Sequence, residues 1–291
     1  MKWIRRIGIS LSVVLVVLLI GVYFFLHNMN FAESEEAIAK AFQGIPYELQ
    51  TDVVQFDGQP IQYAEIGHPE KPVVLFVHGS PGMWDNFLME MSSPELLDYA
   101  RVISVTRPGY GASGSGVYEP SLEKQAAAML HVLKLRSPDK PAVLVGHSFG
   151  GPVIARMAMD APAQVAGLVL AAASIDPVLE ETLWFQIPAS VPPLTWLLPD
   201  DLLVCNLEIL ALKDELEKML PLWKDIQVPV TVIHGDQDNL VPVANAEFAE
   251  RMLVNAPVLM KRFPSMNHFV IWTHPKLVVD SIIELLEHEP G

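Results

Sequence analysis

Short, mostly apolar runs recur along this chain at wide spacing. They are Val73 to Val77, Val102 to Val105, Ala142 to Val145, Leu168 to Ala171, Val230 to Ile233 and Val258 to Met260. Runs of this length without strict alternation predict strands buried on both faces. Val53 to Phe56 and Ile61 to Ala64 flank Asp57-Gly58, the dipeptide expected at a tight hairpin. Longer segments with helical periodicity separate several of these runs: Ser121 to Leu135, Pro152 to Ala161, Ala244 to Leu253 and Lys276 to Glu287. The alternation predicts an α/β fold with a mostly parallel sheet and helices on both faces.

The pattern changes in two places. Asp176 to Gln227 has no clear strand and is rich in Trp, Leu and Pro, with a helix-like part from Leu202 to Leu220. At the N-terminus, Ile7 to Leu26 has no charged side chain. A helix of roughly 20 apolar residues crosses a hydrocarbon core of about 30 Å. Lys2, Arg5 and Arg6 precede the run, whereas Glu33, Glu35 and Glu36 follow it. The positive-inside rule then keeps the N-terminus cytoplasmic and puts the main domain on the periplasmic or extracellular side. The competing expectation is a cleaved signal peptide, for which the apolar run is long and the Ala37 to Ala39 site distant. The expected organisation is thus an anchor at 1–28, a tether at 29–48 with a short helix over Ser34 to Phe42, and one domain at 49–291.

Charge and cysteine content narrow the classes. A formal charge of −15 argues against a nucleic-acid partner. The single cysteine, Cys205, excludes an internal disulfide. No zinc-type cluster of ligands stands out, so no metal and no cofactor is expected.

Gly146-His147-Ser148-Phe149-Gly150 follows a predicted strand and opens a predicted helix. G-x-S-x-G in that setting is a nucleophile elbow, a turn so tight that it strains the serine and needs glycines beside it. Downstream lie Gly235-Asp236-Gln237-Asp238 after one strand and Asn267-His268-Phe269 after the last. With HGSPG at His78 and RPGYGASG at Arg107, these blocks resemble the α/β-hydrolase superfamily in its esterase, lipase and aminopeptidase branches, over roughly residues 50 to 288. The resemblance implies an α/β-hydrolase fold with an eight-stranded sheet, and a helical cap at about 176–227. It also implies a Ser-His-Asp mechanism.

Ser148 is then the nucleophile, His268 the general base and Asp238 the orienting acid. Asp236 and His274 are the rivals for the last two roles. The resemblance places the oxyanion hole at the main-chain N–H groups of Ser80 and Phe149. Met83, Trp84, Trp184 and Phe185 are candidates for the substrate pocket. Arg107 belongs to a loop read as structural, without reason to touch catalysis.

The favoured activity is cleavage of a carboxylic ester, small or lipid-like, through an acyl-enzyme. An aminopeptidase resembling prolyl iminopeptidases is the alternative, with Glu180, Glu181 and Glu208 either binding a substrate amine or lying as solvated cap charges. A carbon–carbon hydrolase and a non-catalytic binding protein that keeps the fold are the others.

Overall fold

The computed structural model describes residues 2–287; the side chains of residues 2–13 and 15 lie outside the described residues. Eight strands form one sheet: β1 (Gln50–Phe56), β2 (Gln59–Ile66), β3 (Val73–Val77), β4 (Arg101–Val105), β5 (Ala142–His147), β6 (Val165–Ala171), β7 (Val230–Gly235) and β8 (Val258–Phe263). Helices are α1 (Lys2–His27), α2 (Glu35–Ala41), α3 (Leu88–Met91), α4 (Pro94–Tyr99), α5 (Leu122–Arg136) and α6 (Gly150–Asp160). They continue as α7 (Gln186–Ala189), α8 (Asp200–Met219), α9 (Ala244–Met252), α10 (Val270–Thr273) and α11 (Pro275–Glu287).

Every predicted strand is present, and the sheet order is β1-β2-β4-β3-β5-β6-β7-β8. β1 and β2 pair antiparallel through Asp57-Gly58, and β2 pairs antiparallel with β4. The strands from β4 to β8 run parallel. The apolar runs alternate sides as strand geometry requires. Val73, Leu75 and Val77 join one core with α5 and α6, whereas Val74 and Phe76 join the other with α4 and α11. All five of these β3 side chains are at most 2% exposed, which explains the absence of polar alternation in the sequence.

The sequence order departs from spatial order once in the parallel part. The chain leaves β3 for β4 and returns on the other side to β5. Loops after the carboxyl ends of β3 and β5 therefore diverge around a crevice, the place where open α/β sheets bind ligands. The loops after β7 and β8 open on the same edge, since all four strands run parallel.

Between β6 and β7 the chain forms the expected insert. It contains α7, a 3-10 turn at Leu194–Leu197, and α8. Leu212, Leu216, Met219 and Trp223 anchor its second half in the main core. The first half is different: Trp184 is 88% and Trp196 71% exposed.

The expected membrane span, Ile7 to Leu26, falls in part on side chains outside the described residues, those of residues 7–13 and 15. Among the described residues no helix is long and apolar enough to cross a membrane. The short helix expected over Ser34 to Phe42 is α2, capped by the Ser34 hydroxyl, which accepts from the Ala37 N–H at 3.1 Å.

Candidate active site

Ser148 sits directly after β5 with φ of +52°, a left-handed conformation that a side chain with a β-carbon tolerates poorly. The glycines around it are needed for space. A Cβ on Gly146 would lie 2.4 Å from the Gly150 carbonyl oxygen, and one on Gly150 2.1 Å from that of Val77. A Cβ on Gly79 would meet the Ser148 Cβ at 2.9 Å. The loop after β3 thus closes directly onto the serine.

His268 lies in the loop between β8 and α10. Its Nδ1 is 2.8 Å from Asp238 Oδ2. An ionised carboxylate only accepts, so Nδ1 carries the proton, and in the neutral ring Nε2 keeps the lone pair. Asp238 is itself fixed by its turn. Its Oδ1 accepts from the main-chain N–H groups of Leu240 at 2.9 Å and Val241 at 2.7 Å. His234 Nε2 approaches Oδ2 at 3.5 Å. Burial alone would raise the Asp238 pKa, but hydrogen bonds from His234, His268 and Val241 outweigh it and hold the carboxyl well below the usual range. The rival acid, Asp236, instead pairs with Arg262 at the surface. His274 bonds the neighbouring Thr273 hydroxyl at 2.9 Å.

A cavity of about 520 Å³ brings the parts together. Ser148, His268, Ser80 and Phe149 all line it, beside Leu179, Leu183, Ile209 and Leu212 from the cap. Ser174, Glu180 and Glu181 give it a polar side. Glu180 accepts from the Ser174 hydroxyl, and burial raises its pKa above the ordinary glutamate value.

The large side chains singled out as pocket candidates sit elsewhere. Trp84 is in the core with Phe76 and Phe87, and its main-chain N–H donates to Thr106 Oγ1 at 3.2 Å. Met83 is placed against Gly111. Trp184 and Phe185 stack edge to face on the outer side of the cap, with centroids 5.8 Å apart. The cavity takes their neighbours Leu183 and Gln186 instead. An aromatic residue in a cap sequence signals apolar surface but not the side it faces.

Two residues were undervalued by sequence reasoning. Glu208 is no solvated cap charge: it is 1% exposed and makes a buried ion pair with Arg107, at 2.7 Å. Arg107 is fully buried and touches the Ser80 loop and the Phe149 ring. The available signal was Glu208's register on α8, four residues from both Val204 and Leu212, which are buried on the same face.

Fold and site define a class: an α/β sheet with serine at the elbow after the fifth strand. The sequence pattern of the alpha/beta hydrolase family matches residues 74–281, and the chain belongs to that family. It is 34% identical over 114 residues to the dihydrolipoyllysine-residue acetyltransferase component of the acetoin cleaving system of Cupriavidus necator, covering 39% of this chain and 29% of that protein. The match to its Pseudomonas putida counterpart covers 31% of that protein, so the chain spans about a third of the first curated relatives. A non-heme chloroperoxidase of Streptomyces lividans is 27% identical, covering 81% of this chain and 99% of the relative. Among solved structures, a membrane phospholipase A superposes with a TM-score of 0.64 at 20% identity, covering 97% of this chain and 98% of the other.

Proposed function

We propose that the protein is a membrane-anchored serine hydrolase that cleaves carboxylic esters through an acyl-enzyme. The observation that carries this reading is the arrangement about His268: Nδ1 bonded to Asp238, and the ring lining one cavity with Ser148. Ser148 Oγ attacks the ester carbonyl as His268 Nε2 takes its proton. The N–H groups of Ser80 and Phe149 receive the negative charge that builds on the carbonyl oxygen. Nε2 then returns the proton to the leaving alcohol, and water repeats the sequence on the acyl-enzyme.

Labelling by a fluorophosphonate probe tests the nucleophile. The intact protein should label and Ser148→Ala should not. A folded protein that fails to label would favour the binding-protein reading. The leucines of the cavity support an apolar acyl group. Glu180 and Glu181 support a second reading, an aminopeptidase whose substrate amine they receive. Comparison of p-nitrophenyl esters of increasing chain length with proline p-nitroanilide separates the two.

The anchor rests on the charge-free run to Leu26 and on the exposed apolar side chains of α1, among them Val17, Leu18, Phe24 and Phe25. The cap adds an apolar surface, for Thr182 to Pro199 has no Asp, Glu, Lys or Arg and much of it is exposed. Both features suit a lipid-like substrate. The expected result is sedimentation with membranes that resists alkaline carbonate, and release of a form beginning at Met29. Release of the full chain by carbonate would count against the anchor.

A further inference from the structure

We propose that Arg107 and Glu208 are positioning residues that aim the oxyanion donors and make the cap part of the catalytic site. The proposal rests on the serine-hydrolase reading above. Arg107 uses all five N–H donors of its guanidinium. Nε donates to His78 O at 3.0 Å, Nη1 to Gln125 Oε1 at 2.9 Å and Glu208 Oε2 at 2.7 Å, and Nη2 to Gly79 O at 2.7 Å and Glu208 Oε1 at 2.9 Å.

The contact with Gly79 O is decisive. That oxygen and the Ser80 N–H belong to one peptide unit, which is planar, and the cis bonds of the chain lie elsewhere. Holding the oxygen therefore fixes the direction in which the Ser80 N–H points. His78 supports the same oxygen: its Nδ1 lies 2.7 Å away, while its Nε2 accepts from the Arg107 N–H at 2.9 Å. Only the neutral ring satisfies both bonds, and burial together with the nearby Arg107 charge pushes the His78 pKa well below its ordinary value.

The second donor is reached through its ring. The Arg107 guanidinium carbon lies 4.4 Å from the centroid of Phe149. One cation thus contacts both segments that supply oxyanion N–H groups.

Glu208 completes the arrangement from the cap. It accepts from Arg107 on both oxygens, from the Tyr110 hydroxyl, and from the Ser80 hydroxyl. Ser80 is consequently held at its main chain by Arg107 and at its side chain by α8. Lifting α8 would strand a buried cation without its counter-charge, a strongly unfavourable state. Within the cap, α8 is accordingly a fixed wall.

Buried ion pairs are often replaceable by apolar groups without loss of stability, which separates a positioning role from a structural one. The experiment measures kcat and KM per active site titrated by the fluorophosphonate probe. The variants are Arg107→Lys, Glu208→Gln and the double Arg107→Met/Glu208→Met, each checked by thermal unfolding. The expected result is a fall in kcat per titrated site on the order of 10²–10³, as for loss of one oxyanion donor, with KM much less affected. The fall should persist in the double variant where stability recovers. If kcat per titrated site is unchanged in Arg107→Lys, or returns with stability in the double variant, the proposal is overturned. Should the double variant fail to fold, Arg107→Lys alone decides. Absence of labelling in the unsubstituted protein would instead remove the serine-hydrolase reading beneath it.

Discussion

His147 Nε2 lies 3.0 Å from the main-chain oxygen of His268, and the two rings have centroids 4.8 Å apart. A carbonyl only accepts, so Nε2 of His147 carries the ring proton. The residue before the serine thereby holds the loop that carries the histidine. Trp272 closes on His147 edge to face, with centroids 5.2 Å apart. His147 Nδ1 has no hydrogen-bond partner among the described residues. A proton added there would be buried and unpaired.

This gives an acid sensitivity with a definite window. Burial, reinforced by His268, lowers the His147 pKa from 6.5 to about 3. The unfolded chain takes up its proton at the higher value and the folded one only at the lower, so stability falls as pH drops through that interval. Each pH unit of the interval is worth about 1.4 kcal/mol, and the full cost reaches a few kcal/mol. Urea unfolding at pH 7 and pH 5 should show the loss, and His147→Gln should reduce the difference. An equal difference in the variant would show that another group is responsible.

Gly150→Ala should be poorly tolerated. Its Cβ would lie 2.1 Å from Val77 O and 2.8 Å from His78 O, both main-chain atoms. Overpacking of this kind costs about 1–3 kcal/mol. It also displaces the loop that carries Ser80. Chemical denaturation should show reduced stability, and probe labelling should slow even in the folded fraction. Normal stability would mean that the backbone yields more easily than its contacts suggest.

Asp238→Asn should leave a folded protein with turnover down by about 10⁴, because an amide no longer fixes the histidine tautomer. It should also change the acid limb of stability. The Asp238 pKa is depressed by its hydrogen bonds. Its contribution is therefore full above the unfolded pKa and is lost as pH falls below about 4. Thermal unfolding in that range should become less pH-dependent in the variant. Retained turnover would exclude Asp238 as the orienting group.

Asp85 acts with the opposite sign. It is 4% exposed, its Oδ2 accepts from the Glu33 N–H at 2.8 Å, and its Oδ1 has no partner among the described residues. Burial raises its pKa to about 6. The folded state holds the proton more tightly, so stability falls as pH rises from about 4 to about 6. Asp85→Asn should stabilise the protein above about pH 6 by roughly 1–3 kcal/mol and change little at about pH 4. Glu90, with neither carboxyl oxygen partnered among the described residues, is pushed in the same direction. A uniform change at all pH values would indicate an effect unrelated to titration.

The sheet was readable because strands buried on both faces leave continuous apolar runs; Val73 to Val77 lies between two cores. The elbow was readable because its glycines answer to local steric limits. The cap was less so. Leu183 and Trp184 are adjacent and similarly apolar, yet Leu183 lines the cavity and Trp184 faces outward. Periodicity does not register which side of an irregular segment meets the sheet. The Arg107–Glu208 pair joins residues a hundred positions apart, and neither one's charge discloses its partner. Helices α3 and α4 were also not anticipated, being too short for a helical period to emerge.

Cys205 lies partly buried on α8, three residues before Glu208. Burial pushes its thiol up to about 12, so at neutral pH almost none of it is the reactive thiolate. It is also the chain's sole sulfhydryl. An alkylating reagent therefore meets one slow target at the seam between cap and body. Its uptake by mass spectrometry would act as a clock, counting only the rare excursions in which α8 leaves the body.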